Sequence, residues 1–331
     1  MSLRDVPVLV TGADGFIGSH LVERLVAEGA RVRAFCYYNS RGSAGWLDEA
    51  PAEVRSAIEV SFGDIRDARL VERATDGMEV VFHLAALIAI PYSYAAAESF
   101  VDTNVRGTLN VLEAAVRSRP RRVIQTSTSE VYGTPDELPI RESHPLNAQS
   151  PYAATKTAAD QLALAFHASF GVPAVVLRPF NTYGPRQSER AVLATMLRQL
   201  LAGQREIHLG RLDTRRDLTF VVDTVDGFLR AATAPGLEGR TIQLGTGRAE
   251  RIGDVFEIAR RLTGNEAVAV TDAARLRPDA SEVMALQSDP SLARELLGWT
   301  AATGLEAGIA ATIDWMRSQP APPTDARRVQ L

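Results

Sequence analysis

Val6-Pro7-Val8-Leu9-Val10-Thr11-Gly12-Ala13-Asp14-Gly15-Phe16-Ile17-Gly18 decides the fold. A short β-branched strand runs into a loop with glycines at 12, 15 and 18, and an amphipathic helix follows from Ser19 to Glu28, closed by Gly29. Strand, glycine loop and helix in that order open a βαβ unit. Glycines at such a loop let the backbone approach a pyrophosphate, whose charge the helix N-terminus and its free N–H groups favour. A plain tight turn also needs glycines, so the spacing gains its meaning from the strand before it and the helix after it. On that context Gly12, Gly15, Phe16, Ile17 and Gly18 are read as cofactor-binding.

Further strands are expected over Arg31–Tyr37, Ile58–Phe62, Val80–Leu84, Arg121–Gln125 and Ala174–Leu177, with a long helix from about Ser99 to Arg117. Ser150-Pro151 reads as an N-cap followed by proline at the first helical position, so a helix should run from Pro151 to about Phe170 and stop at Gly171. Short apolar strands alternating with helices predict an α/β fold with a parallel, doubly wound sheet. Beyond Arg178-Pro179 the pattern loosens. A helix is expected near Ala191–Ala202, a return to the sheet at Leu218–Val222, and helices around Ile252–Leu262, Pro290–Leu297 and Gly304–Met316 in a smaller mixed α/β C-terminal lobe. The dinucleotide-binding domain is therefore set at 1–178 plus 217–244, the substrate lobe at 179–216 plus 245–318, and a flexible tail at 319–331.

The 331 residues are 46% hydrophobic and 23% charged, near globular averages, with a formal net charge of −4 that argues against a nucleic-acid surface. The single cysteine, Cys36, excludes an internal disulfide and fits a reducing compartment. Five histidines show no metal-ligand spacing, so no metal is expected. No apolar run approaches the roughly 18 residues a membrane helix needs, and the expectation is a cytoplasmic protein with no membrane partner.

Ile124-Gln-Thr-Ser-Thr-Ser-Glu-Val-Tyr-Gly-Thr134 is a strand end crowded with hydroxyls and one carboxylate, Glu130. Burying so many polar groups unpaired is costly, so this tip should face a cleft or a polar ligand. Tyr152 and Lys156 stand four residues apart, on one helix face. A phenol is a poor base at neutral pH, and a nearby cation stabilises its phenolate. A dinucleotide fold usually ends its second strand in an acid that holds the adenine ribose. Here Tyr37-Tyr38-Asn39-Ser40-Arg41 has none: Asn39 and Ser40 can bond a ribose, whereas Arg41 suits a 2′-phosphate, which leaves NAD and NADP both open. Asp64, at the tip of the third strand, suits an adenine amino group or else caps the following turn.

Taken together, Thr11-Gly-x-x-Gly-Phe-Ile-Gly18, His83-Leu-Ala-Ala86, Thr126-Ser-Thr-Ser-Glu-Val-Tyr-Gly133, Tyr152-x-x-x-Lys156, Arg178-Pro-Phe-Asn-x-Tyr-Gly-Pro-Arg186 and Arg216-Asp-Leu-Thr-Phe-Val-Val-Asp223 resemble the extended short-chain dehydrogenase/reductase family. Its members modify nucleotide sugars on a Rossmann-like sheet. Tyr37-Tyr-Asn-Ser40, Ala85-Ala-Leu-Ile-Ala-Ile-Pro91, Val101-Asp-Thr-Asn104, Pro185-Arg-Gln-Ser188 and Arg277-Pro-x-x-Ser-Glu-Val283 resemble LegB-type NAD-dependent 4,6-dehydratases, which act on nucleotide-linked N-acetylglucosamine.

The resemblance implies tightly bound, recycled NAD lined also by Ile65, Leu84, Ala85, Ala86, Thr126 and Pro179. It implies that Tyr152 takes the proton of the sugar 4-hydroxyl while Lys156 lowers the phenol pKa and binds the nicotinamide ribose. Thr128 would bond the 4-oxygen, and Glu130 would take the C5 proton before water leaves C6 and hydride returns there. Ser129 departs from the family's usual Asp, the acid for the leaving hydroxyl. The triplet Thr128-Ser129-Glu130 also matches UDP-glucuronate decarboxylases, which stay an alternative; a 4-epimerase is a third reading, and a non-catalytic NAD(P)-binding module a remote one. Asn181, Arg186, Arg216 and Arg277 are expected on the sugar diphosphate, since a guanidinium fork matches two phosphate oxygens. His83 is read as a packed strand residue. The helices near Ser99–Arg117 and Pro151–Phe170 resemble the pair that forms a four-helix homodimer interface in this family.

Overall fold

The computed structural model describes residues 2–319, so the tail expected over 319–331 lies outside the described residues except for Gln319. Seven parallel strands form the main sheet: β1 (Pro7–Thr11), β2 (Arg31–Tyr37), β3 (Ile58–Gly63), β4 (Val80–His83), β5 (Arg122–Thr126), β6 (Ala174–Pro179) and β7 (Thr241–Leu244). Their order across the sheet is β7-β6-β5-β4-β1-β2-β3. The order reverses between β1 and β4, and ligands of open α/β sheets bind outside the carboxyl ends of the strands at that switch point. Val8, Leu9, Val10, Val80, Val81 and Phe82 are all fully buried, the signature of a sheet covered by helices on both faces.

Local chemistry sets the helix ends. The Ser150 hydroxyl accepts from the Ala153 N–H, Pro151 occupies the first turn, and Gly171 closes the Pro151–Phe170 helix in the left-handed region at φ +69°. The expected Ser99–Arg117 helix is interrupted. Ala97–Phe100 and Gly107–Ser118 are α-helical, while Val101–Arg106 between them is a wider π-helical segment. Such segments recur where a side chain is re-aimed at a site, and here it carries Asn104.

Leu218–Val222 does not return to the main sheet. Leu218–Phe220 pairs in parallel with Asn181–Tyr183, and Val221 begins the Val221–Thr233 helix. The strand that closes the sheet is β7, against β6. The C-terminal part carries helices Val192–Leu201, Ile252–Thr263, Ser291–Leu297 and Leu305–Ser318 with short strand pairs. Two buried residues bind it to the sheet. Trp299 donates from its indole to the Asp223 carbonyl (2.9 Å), and Asp217 accepts from the backbone of Thr246, Gly247 and Ser288 and from the Thr246 and Ser288 hydroxyls. Among the described residues, no helix is long and apolar enough to cross a membrane and no group of three or more His, Cys, Asp or Glu gathers as a metal site.

Candidate active site

The site is built where β1, β4 and β5 end. Gly12 sits at φ +67°, and a Cβ there would come within 2.8 Å of the Ala85 nitrogen; a Cβ on Gly18 would overlap the Gly12 carbonyl oxygen. Gly15, by contrast, faces open space apart from that same carbonyl at 3.3 Å, to which its N–H donates (3.1 Å), and its missing side chain leaves room for a ligand at the start of the Phe16–Ala27 helix. Thr11 locks the loop to β4. Its hydroxyl accepts from the Leu84 and Ala85 N–H groups (both 3.2 Å) and donates to His83 Nδ1 (2.8 Å); His83 Nε2 then faces the Thr108 hydroxyl (3.1 Å), which donates to the Asn104 carbonyl. Burial, with Lys156 adding to it, lowers the imidazole to about 3. His83 is a neutral structural link.

On the adenine side several residues are already occupied. Asn39 braces its own loop, donating to the Tyr37 and Ser43 carbonyls and accepting from the Arg41 and Ser43 N–H groups. Ser40 and Arg41 are exposed. Asp64 is paired with Arg66 through contacts of 2.6–3.0 Å, and the Arg66 hydrogen bond holds its carboxyl below the ordinary value. Asp64 Oδ1 also accepts from the Arg66 N–H (2.9 Å) and so caps the turn that follows, while the helix N-cap is Asp67, accepting from Arg69 and Leu70. Ile65 is buried, and its carbonyl takes a bond from Asn110.

At the tip of β5 the polar run forms a single tight turn. Thr128 caps Ser129–Tyr132 by accepting from the Glu130 N–H (3.2 Å). Ser127, Ser129 and Glu130 are all buried, at 5%, 2% and 8% exposure, so the stretch is enclosed rather than lying open to solvent. Tyr152 comes within hydrogen-bond reach of Thr128. Burial pushes its phenol above the ordinary value; the Thr128 bond opposes this, and the Glu130 and Asp160 carboxylates add to it. Lys156 does not relieve the phenol in this arrangement. Its ammonium donates to the Thr126 carbonyl (2.5 Å), and burial lowers it to about 8 against the pull of Asp160. Thr126 keeps a buried hydroxyl with no protein partner.

Of the four expected phosphate ligands, Arg216 and Arg277 come together beside Glu130. Arg277 reaches Glu130 Oε2 at 3.4 Å, and Arg216, buried, donates to the Arg215 carbonyl and lies 3.5 Å from Glu282. Burial lowers the Arg216 guanidinium from its ordinary value; Glu130 and Glu282 oppose that and Arg277 adds to it. Asn181 leaves its buried Oδ1 without a protein partner. Arg186 goes elsewhere. Its guanidinium is taken by Glu23 (2.7 Å) and the Ser19 hydroxyl (3.2 Å) on the first helix, while His20 Nε2 meets the Pro185 carbonyl (3.1 Å).

Three residues here escape a reading of the sequence. Asp160, one turn beyond Lys156, is fully buried, accepts from the Ser127 hydroxyl (2.6 Å) and pairs with Arg178 (3.0 Å). Its i+4 spacing from Lys156 was the available signal. Asn104 accepts from the Leu87 N–H and donates to the Leu87 carbonyl and the Thr155 hydroxyl, tying the loop after β4 to the Tyr152 helix. Glu282 partners Arg216.

A seven-stranded parallel sheet with a glycine loop at its switch point, a Tyr/Lys pair beside it and converging guanidiniums above define an NAD-dependent enzyme of nucleotide sugars. The model of the GDP-mannose 4,6 dehydratase family matches residues 9–312. The UDP-glucose 4-epimerase of Mycolicibacterium smegmatis is 36% identical over 317 residues, covering 94% of this chain and 98% of that one. Among solved structures, MoeE5 in complex with UDP-glucuronic acid and NAD superposes with a TM-score of 0.83 at 32% identity, over 94% of this chain and 99% of that one. TunA, described as an NAD-dependent NDP-hexosamine 5,6-dehydratase of tunicamycin biosynthesis, gives 0.84 at 28% identity, over 96% and 99%.

The chain belongs to the NAD-dependent epimerase/dehydratase family of extended short-chain dehydrogenases/reductases. It binds NAD. The glycine cradle and the unpaired Thr126 hydroxyl fit that group.

Proposed function

We propose that this protein is a nucleotide-sugar 4,6-dehydratase acting on UDP- or GDP-N-acetylglucosamine. The observation that carries the reading is Glu130: a buried carboxylate close enough to Tyr152 to act on its phenol. A base at C5 is what an elimination needs and a 4-epimerisation does not. The sheet domain (1–178 plus 217–244) would hold NAD through Gly12, Gly15, Phe16, Ile17 and Gly18 at the pyrophosphate and Thr126 and Lys156 at the nicotinamide ribose. The lobe (179–216 plus 245–318) would hold the diphosphate through Asn181, Arg216 and Arg277. When bound, NAD would take hydride from C4 and return it at C6.

Tyr152 would remove the proton of the 4-hydroxyl, handed through Thr128, with the Lys156 ammonium turned from the Thr126 carbonyl toward the ribose. The 4-ketone acidifies the C5 hydrogen; Glu130 would take that proton and give it to the C6 oxygen as its bond breaks, so that water leaves. Once hydride is back at C6, the proton Tyr152 took from the 4-hydroxyl would go to C5, restoring the phenolate. No external reductant is consumed.

The decarboxylase alternative draws support from the same place. Thr128-Ser129-Glu130 fits it, and the Arg277 guanidinium beside Glu130 is the kind of cation a C6 carboxylate requires. We also infer a homodimer through the apolar strip of Ala97, Val101, Val105, Pro151, Ala154 and Ala158, exposed at Ala97, Val101 and Ala154 and half-buried between them, whose face suits a second copy of itself. Sedimentation at two protein concentrations tests that assembly.

The functional test is mass spectrometry of the purified protein, without added nicotinamide, on UDP-N-acetylglucosamine, GDP-N-acetylglucosamine, UDP-glucose and UDP-glucuronate. The expected product is lighter than an N-acetylglucosamine nucleotide by one water. Loss of carbon dioxide from the glucuronate with the other sugars unchanged overturns the assignment. Tyr152→Phe should stop oxidation, whereas Glu130→Gln should allow transient NADH-like absorbance without product; normal turnover of the second variant would remove Glu130 as the base.

A further inference from the structure

Glu130 and Arg277 lie 147 residues apart in sequence, yet the proposed C5 base and a proposed diphosphate ligand are ion-paired at 3.4 Å. Their side chains are 10% and 22% exposed, so the pair is only weakly screened by solvent. Arg216 and Glu282 complete a cluster of two guanidiniums and two carboxylates, which is neutral as it stands. A nucleotide diphosphate adds two negative charges at neutral pH, and a planar guanidinium finds a better bidentate partner in phosphate than in a carboxylate held at 3.4 Å.

We propose that Arg277 is a latch on Glu130 that a nucleoside diphosphate releases, so that recognition of the handle and readiness of the C5 base are one event. Arg277 exchanges its carboxylate for phosphate oxygens. Arg216, held by the Arg215 carbonyl and Glu282, stays in place to receive the same diphosphate. A carboxylate oxygen held by a guanidinium is occupied as an acceptor, and releasing the guanidinium frees it. Glu130 Oε2 is therefore free to take the C5 proton only when a diphosphate-linked sugar is seated. Sugars on a monophosphate handle would go slowly or not at all past the ketone to elimination. The exchange rests on the preceding reading only for what Glu130 does next.

The test reads Glu130 itself, not turnover. Purified NAD-loaded protein is treated with a water-soluble carbodiimide and an amine, which couple to carboxyls not held in an ion pair, and the peptide containing Glu130 is quantified by mass spectrometry. The arms are no addition, UMP, UDP, GDP and dTDP, with binding of each followed by calorimetry. At least one diphosphate should bind and speed labelling of Glu130 severalfold as the Arg277 pair opens; UMP should not. Arg277→Ala should label fast without any addition and show no further response, while Arg277→Lys keeps part of the restraint. Unchanged labelling with a bound diphosphate, slow labelling of Arg277→Ala, or failure of all three diphosphates to bind overturns the latch. Labelling as expected in a protein that makes no dehydrated sugar keeps the latch and sinks the dehydratase reading instead.

Discussion

Asp160→Asn tests the buried frame beneath Tyr152 and Lys156. Asp160 Oδ2 accepts from the Ser127 hydroxyl and pairs with Arg178, whose other nitrogen donates to the Tyr132 hydroxyl while its guanidinium lies over the Tyr132 ring at 5.1 Å. The paired side chains are 0% and 3% exposed, so water cannot replace either partner. Burial pushes the Asp160 carboxyl up, with Arg178, Ser127 and Lys156 pulling it back. Removing one member of such a pair leaves an uncompensated charge and costs about 3–5 kcal/mol, against at most about 1 kcal/mol for an exposed pair. With an unfolding entropy of roughly 2 cal/mol/K per residue over the chain, 4 kcal/mol lowers Tm by roughly 6 °C. Urea and thermal unfolding of the NAD-loaded protein measure both. The double variant Asp160→Leu with Arg178→Met removes both charges and should be more stable than Asp160→Asn alone. A loss below about 1 kcal/mol in Asp160→Asn, the exposed-pair value, would refute the argument; so would a double variant worse than the single.

Two further outcomes follow from the same side chains. Lys156 titrates near 8 because burial outweighs the attraction of Asp160; activity that needs its ammonium should fall as pH rises through about 8. Removing the negative neighbour lowers the ammonium further, so Asp160→Asn should move that alkaline limb to lower pH in a kcat/KM profile. Arg186→Ala, which breaks the pair with Glu23, should reduce thermal stability yet leave the nucleotide-sugar KM within about twofold, whereas loss of a charge-assisted phosphate contact at Arg277 should raise KM about tenfold or more.

What the sequence made readable were features fixed within a turn or two of chain. Gly18 needs its missing Cβ because the Gly12 carbonyl lies against it within the same loop, and the Ser150 cap and Gly171 stop bound a helix by purely local bonds. Leu218–Val222 misled because a short apolar run at a strand-to-helix junction carries no period of its own; the switch falls inside it, at Val221. Arg186 and Arg277 carry the same phosphate-binding chemistry, but folding brings Glu23 to one and Glu130 to the other. Asn39 likewise has the chemistry to hold a ribose, but its four hydrogen bonds within residues 37–43 use it to shape the loop. Long-range partners decide which polar residues are free, and sequence spacing does not report them.

The position that separates the possible reactions is Ser129. Oxidation at C4 is shared by epimerases, dehydratases and decarboxylases, so Tyr152, Lys156 and Thr128 cannot discriminate among them. A dehydratase must also protonate the hydroxyl leaving C6, and an alcohol such as Ser129, 2% exposed within its turn, is a poor acid. Glu130 has that proton once it has taken it from C5. One carboxylate acting on a single face of the sugar would then serve both ends of the elimination: the C5–H bond breaks to Glu130, the same proton goes to the C6 oxygen, and water departs. On this account Ser129→Ala should keep kcat within a few-fold of the parent, while Glu130→Gln should lose about 10²–10⁴, the range of general acid–base catalysis. With substrate deuterated at C5, the rate should slow and part of the label should appear in water. A Ser129→Ala variant as inactive as Glu130→Gln would make the serine hydroxyl indispensable to proton delivery and end the single-carboxylate account.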